Sequence, residues 1–159
     1  MHKLTIATTW TLILVFVLSV TPGLASSRPA GVQFEVPTTF GPDGAPSFGP
    51  FTASGPAVDE GLVCPSGDTI DVFGKASGFQ SAKGGLNFQV VKLFTCDDAS
   101  GEFFVKLQVR VDWKGDNFTW TITGGSGQYE DLHGTGQGIG MDVVPDGVLD
   151  IYTGALHAD

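Results

Sequence analysis

From Arg28 to the C-terminus, runs of alternating apolar and polar residues recur between Gly and Pro punctuation, and no stretch sustains the three-and-four spacing of an amphipathic helix. The clearest run is Phe103, Val105, Leu107, Val109 and Val111 on one face, with Phe104, Lys106, Gln108 and Arg110 on the other. In an antiparallel sheet this means one face on the core and one in water. Val32, Phe34 and Val36 alternate with Gln33 and Glu35, and Pro37 is expected to end that strand. Further strands are expected over 51–54, 69–73, 86–93, 118–123 and 147–156, separated by a chain rich in breakers, with 23 Gly and 9 Pro. About eight strands with hairpin-length connections predict an all-β chain forming a single closed antiparallel barrel. A β-sandwich is the alternative. Roughly eight strands leave an interior that side chains fill or that opens just enough for one small ligand.

Several irregular positions can be read in the same way. The stretch from Thr38 to Pro50 is too rich in Gly and Pro to be regular, and would present Phe40 and Phe48 as exposed anchors for a surface partner. Residues 55–67 read as a second loop, and Gly74 and Gly78 as bulge or bend positions. Leu86, Phe88 and Val90 alternate, then Val91 and Leu93 take the opposite phase, which predicts a bulge near Val90 and Val91. Gly134, Gly136, Gly138 and Gly140 fall on alternate residues, so one face of their strand is bare backbone. Either the strand coils to close a barrel and neighbouring aromatics such as Trp120 or Tyr152 cover the glycines, or a ligand occupies the space.

The N-terminus reads as a targeting segment. Lys3 precedes the uncharged run Leu4–Val20, broken by Thr21, Pro22 and Gly23 and followed by Ala25, Ser26 and Ser27. This is the order of a secretory signal peptide over 1–25, leaving 26–159 as the folded domain. An uncleaved membrane anchor is the alternative; after cleavage no membrane association is expected. Cys64 and Cys96 are the only cysteines, and in an exported chain such a pair reads as a disulfide. Lys and Arg number 8 against 17 Asp and Glu, a formal net charge of −9, which argues against a nucleic-acid partner.

The segment Gly125-Ser-Gly-Gln-Tyr-Glu-Asp-Leu-His-Gly-Thr-Gly136 carries a G-[ST]-G-x-[FY]-x-x-[LA]-x-G pattern. It resembles the turn of allene oxide cyclase-like and dirigent-like β-barrels, including secreted bacterial members. Phe118–Thr123 and Asp150–Gly154 fit the same resemblance, which covers the last third of the chain. It implies an eight-stranded antiparallel barrel whose apolar interior, in the plant enzymes, holds a fatty-acid epoxide or guides phenol coupling. Because the plant relatives form trimers or dimers, a homo-oligomer is also an expectation. In the motif itself, Gly125 and Gly127 are expected to permit positive φ, Tyr129 and Leu132 to plug a barrel end, and Gly134 and Gly136 to allow close approach.

No complete active site can be read. A barrel interior lined by Phe103, Val105, Leu107, Phe118, Trp120 and Ile122 would suit a small hydrophobic ligand. Asp71 and Asp150 lie among apolar neighbours; a carboxylate pointing into such an interior would have a raised pKa and could act as acid or base. His133, His157 and Asp131 suggest a metal site only thinly, and Ser126, His133 and Asp131 a triad more thinly still, so neither metal nor cofactor is expected. Asp97, Asp98, Asp142, Asp146 and Asp150 lack the ligand spacing of a calcium loop. The expectation is a secreted binder of a small hydrophobic molecule or a stable extracellular module. The alternatives are an isomerase or cyclase acting inside the barrel, and a surface interaction protein using residues 38–50.

Overall fold

Each alternating run becomes a strand, and most strands outrun the pattern that predicts them. The computed structural model describes residues 28–42, 45–76, 85–112, 115–143 and 147–159. The segment 1–25, Gly78 and Asp146 lie outside them. The strands are β1 (Ala30–Thr39), β2 (Phe48–Ser54), β3 (Ser66–Ala76), β4 (Leu86–Cys96), β5 (Gly101–Asp112), β6 (Gly115–Gly127), β7 (Leu132–Val143) and β8 (Gly147–Ala158). They close in sequence order into an antiparallel barrel of eight strands. Closure is by β1 on β8, paired without interruption from Ala30 with Leu156 to Thr39 with Gly147. No sandwich forms, because that ladder leaves no free edge.

Several local expectations are corrected. Pro37 does not end β1: it pairs with Leu149 of β8, and the β1–β2 ladder skips from Glu35–Thr52 to Thr39–Phe48 at its level. A residue without an N–H is tolerated where one side of the ladder is already interrupted. The loop expected over 38–50 is correspondingly shorter, since β1 extends to Thr39 and β2 starts at Phe48. Nor is there a bulge at Val90–Val91. β4 pairs with β5 in unbroken register, and Phe88, Val90, Lys92, Phe94 and Cys96 all face inward. The bulge lies opposite, in β3 between Asp71 and Phe73, while Gly74 pairs regularly with Val90. A second irregularity sets Phe104 against Gly124 and Val105 against Ile122, leaving Thr123 of β6 as the extra residue. The second expected loop contains a one-turn helix, α1 (Pro56–Asp59), whose Ala57 is buried.

The interior is an aromatic cluster. Phe34 of β1 has ring contacts at centroid distances of 5.6–6.2 Å with Phe51, Phe94, Phe103, Trp120 and Tyr152. Such edge-to-face pairs add to the stabilisation from burial alone. The glycine stripe of β7 makes room for these rings. A Cβ on Gly136 would overlap the Thr153 carbonyl oxygen and press on the Trp120 indole, and one on Gly138 would overlap the Phe118 ring. Trp120 is fixed there by its Nε1–H, which donates to the Gln137 carbonyl at 3.2 Å. The aromatics of β6, rather than a ligand, cover this stretch of wall.

One barrel end is plugged. Tyr129 and Leu132 of the β6–β7 turn are buried with Val63, Cys64 and Cys96. The Tyr129 hydroxyl lies 2.6 Å from Ser100 Oγ and 3.3 Å from Cys96 Sγ. Gly127 adopts φ 65°, as the turn requires. Gly125 has no positive φ; it is a close-approach position, where a Cβ would overlap the Tyr129 carbonyl oxygen. The Cys64–Cys96 disulfide, with Cα atoms 6.0 Å apart, ties the α1–β3 connection to the end of β4.

Two predictions follow from this packing. Gly138→Val should destabilise the fold by about 2 kcal/mol or more, the cost of overpacking a filled core, and combining it with Phe118→Ala should recover part of that loss in urea denaturation. Replacing both cysteines by Ala should lower stability by roughly 3 to 4 kcal/mol, from the loop-closure entropy of a bridge spanning 32 residues.

Candidate functional site at the far end of the barrel

At the opposite end the inward-facing residues change character. Thr38 of β1, Asp71 of β3, Lys92 of β4, Asp116 of β6 and Asp150 of β8 come together with Phe40, Phe88, Val90, Leu107, Val109, Phe118 and Val148 around a cavity of about 150 Å³. This is the size of an apolar cavity known to hold one benzene-sized molecule.

Lys92 is the most unusual of these residues, at 3% exposure in the middle of an otherwise apolar inward row. Its Nζ donates to Asp71 Oδ1 at 2.7 Å and lies 3.5 Å from Thr38 Oγ1. Thr38 Oγ1 in turn donates to Asp150 Oδ2 at 3.0 Å. The bulge in β3 falls immediately after Asp71, so Asp71 stays inward while Val72 and Phe73 are exposed. A lysine and two carboxylates are thus linked through one hydroxyl inside the barrel wall.

Their electrostatics follow from burial. Desolvation raises the Asp150 carboxyl from the ordinary 3.8 to about 6, against the opposing pull of Lys92 and the Thr38 hydrogen bond, while Asp71 and Asp116 push it further upward. One layer below, the fully buried Tyr152 hydroxyl is the sole buried side-chain polar atom without a hydrogen-bond partner among the described residues. Burial pushes its pKa well above the usual tyrosine value, with the charges of Asp150 and Asp71 adding to the effect.

The residues expected to line a ligand site therefore separate into two groups. Leu107, Phe118, Asp71 and Asp150 line the cavity. Phe103, Val105, Trp120 and Ile122 face inward but are packed into the filled core below it, because the rings centred on Phe34 occupy that level. Lys92, Thr38 and Asp116 were not anticipated. For Lys92 a signal existed: it keeps the alternation of Phe88, Val90, Phe94 and Cys96, so its side chain had to point inward.

The other candidates lie elsewhere. His133 and His157 are opposite each other on β7 and β8 with stacked rings 5.3 Å apart, and His133 Nε2 lies 3.1 Å from Asp159 Oδ2. Ser126 sits on β6 opposite Glu102. Asp97 accepts from Ser66 Oγ at 2.7 Å, and hydrogen bonds from Ser100 hold the Asp98 carboxyl below its usual value. No group of three or more potential metal ligands occurs among the described residues, nor any helix long and apolar enough to cross a membrane.

Compared with known proteins, the chain matches no family model and no curated protein.

The raised Asp150 carboxyl makes stability depend on pH in a defined direction. The folded chain holds this proton more tightly than the unfolded one, so the contribution is greatest below about pH 4 and is lost as pH rises through about 6. The expected loss is about 2 to 3 kcal/mol. Measured by urea denaturation at pH 4 and pH 8, wild type should lose this much relative to Asp150→Asn; a pH-independent difference would contradict the raised value.

Proposed function

We propose that this protein is a secreted binder of one small, largely hydrophobic molecule, seated in the cavity at the Lys92 end of the barrel. The observation that carries this reading is the polar cluster itself. A buried ammonium and a buried carboxylate are expensive in a barrel that apolar side chains fill elsewhere, and replacing such groups with apolar residues is often neutral or stabilising. A concave, mostly apolar site with a few convergent polar groups and a perturbed carboxyl has the make-up of a ligand site. Phe88, Val90, Leu107, Val109, Phe118 and Val148 supply the apolar walls, and the cluster supplies orientation. The resemblance of residues 125–136 to allene oxide cyclase-like and dirigent-like barrels supports the same reading, as does a disulfide for export. The Asp150 carboxyl, able to exchange a proton near neutral pH, favours one second reading: an isomerase or cyclase with Asp150 as acid or base.

Benzyl alcohol, a ring with one hydroxyl, matches the cavity in size and tests the reading by amide chemical-shift mapping. Saturable shifts are expected at Leu107, Val109, Phe118 and Val148. Val109→Phe, which fills the cavity, should remove them while the signals of the plugged end stay in place. Shifts confined to the exposed Phe48 or Ile139 surfaces would contradict the reading, as would no saturable shift up to the probe's solubility.

A further inference from the structure

Three of the four ionisable side chains around the cavity are acids: Asp71, Asp116 and Asp150 against Lys92. The ammonium is already committed, 2.7 Å from Asp71. Asp150, at 9% exposure, accepts one hydrogen bond among the described residues, from Thr38 to Oδ2. Its other oxygen, Oδ1, stands beside Gly140 of the neighbouring strand, where a Cβ would lie 3.3 Å from it and 3.0 Å from Asp116 Cβ and Val148 Cγ2. Asp116 has interactions of its own. Phe40, Phe88 and Phe118 present aromatic surfaces to the same space.

We propose that the occupant is a small organic cation, an apolar or aromatic body bearing a protonated amine, with Asp150 as its counter-ion. This rests on the cavity being a ligand site, as argued above, and adds the chemical class. An anionic ligand would enter beside uncompensated carboxylate, and a neutral one would leave the buried Asp150 charge unpaired. A cation offsets that charge where the low-dielectric wall strengthens the attraction, and the aromatic faces favour it further. The net charge of −9 over the whole chain draws cations toward the molecule from solution. Among the described side chains, the groups facing Asp150 are Thr38 from β1, Asp71 from β3, Lys92 from β4, Asp116 from β6 and Tyr152 from its own strand, with Leu107 and Val109 of β5 and Gly140 of β7 beside them. Protonating Asp150 removes the charge that this proposal assigns as the counter-ion, while Asp71 stays paired with Lys92.

The test compares benzylamine, benzyl alcohol and benzoate, which share one ring, by calorimetry and amide shift mapping on the full mature chain. Benzylamine should bind at least about tenfold more tightly than the alcohol, and benzoate more weakly than either. From pH 7.5 to pH 5 the ionised fraction of a carboxyl titrating at about 6 falls to about a tenth, so the amine's affinity should drop about tenfold. In Asp150→Asn the amine should bind no better than the alcohol, at either pH. Equal affinities in wild type, or preference for benzoate, would overturn the cationic assignment while leaving the ligand site in place. Failure of all three probes to bind at the cavity would overturn the site as well.

Discussion

The rings around Phe34 divide the barrel in two. Phe51, Phe94, Phe103, Trp120 and Tyr152 surround it from five different strands, so the middle of the barrel is close-packed rather than hollow. That filling depends on glycines at 134, 136 and 138 of β7, whose missing side chains admit Leu156, Trp120 and Phe118. Below the rings, the disulfide and Tyr129 seal one end. Above them, the inward row continues as Lys92, Asp71, Thr38 and Asp150, and packing gives way to a cavity. The ring cluster thus serves as both core and cavity floor.

The far end works against the stability that the ring cluster provides. Lys92 and Asp150 are charged groups taken out of water, and the shift of the Asp150 carboxyl to about 6 records the incomplete compensation. Lys92 is neutralised by Asp71, which remains partly solvated with its side chain 20% exposed. The bulge after Asp71 gives that pair its geometry, since it allows β3 to turn Val72 and Phe73 outward without moving Asp71 off the interior. An all-apolar row at this level would avoid that desolvation, and this contrast is what the proposed ligand site rests on.

Much of this was legible in the sequence because strand periodicity is a local property. The alternation from Phe103 to Val111 and from Phe118 to Ile122 fixes the facing of every residue in β5 and most of β6, and the only two cysteines form the expected bridge. The glycine stripe was ambiguous until its partners were placed, because one strand does not say which ring lies across it. Pro37 misled because proline usually stops a strand, whereas here the ladder to β8 carries on past it. The bulge expected in β4 rests on Val91 and Leu93, apolar in the phase opposite to Leu86, Phe88 and Val90; both are half-buried on the outer face, and the bulge belongs to β3. The clustering of Thr38, Asp71, Lys92 and Asp150 joins four strands far apart in the chain, and no single-strand pattern contains that information.

Asp150 sits as an incompletely compensated carboxylate inside the barrel wall. The most direct test is a titration of the Asp150 side-chain carboxyl carbon by ¹³C NMR in the ligand-free protein. A midpoint near 6, moving downward when Thr38 and Lys92 are held constant and a cationic probe is added, is the predicted result. A midpoint at or below 4, unmoved by any probe, would mean that the carboxylate is either solvated or fully compensated by Lys92 and Thr38, and would contradict the account.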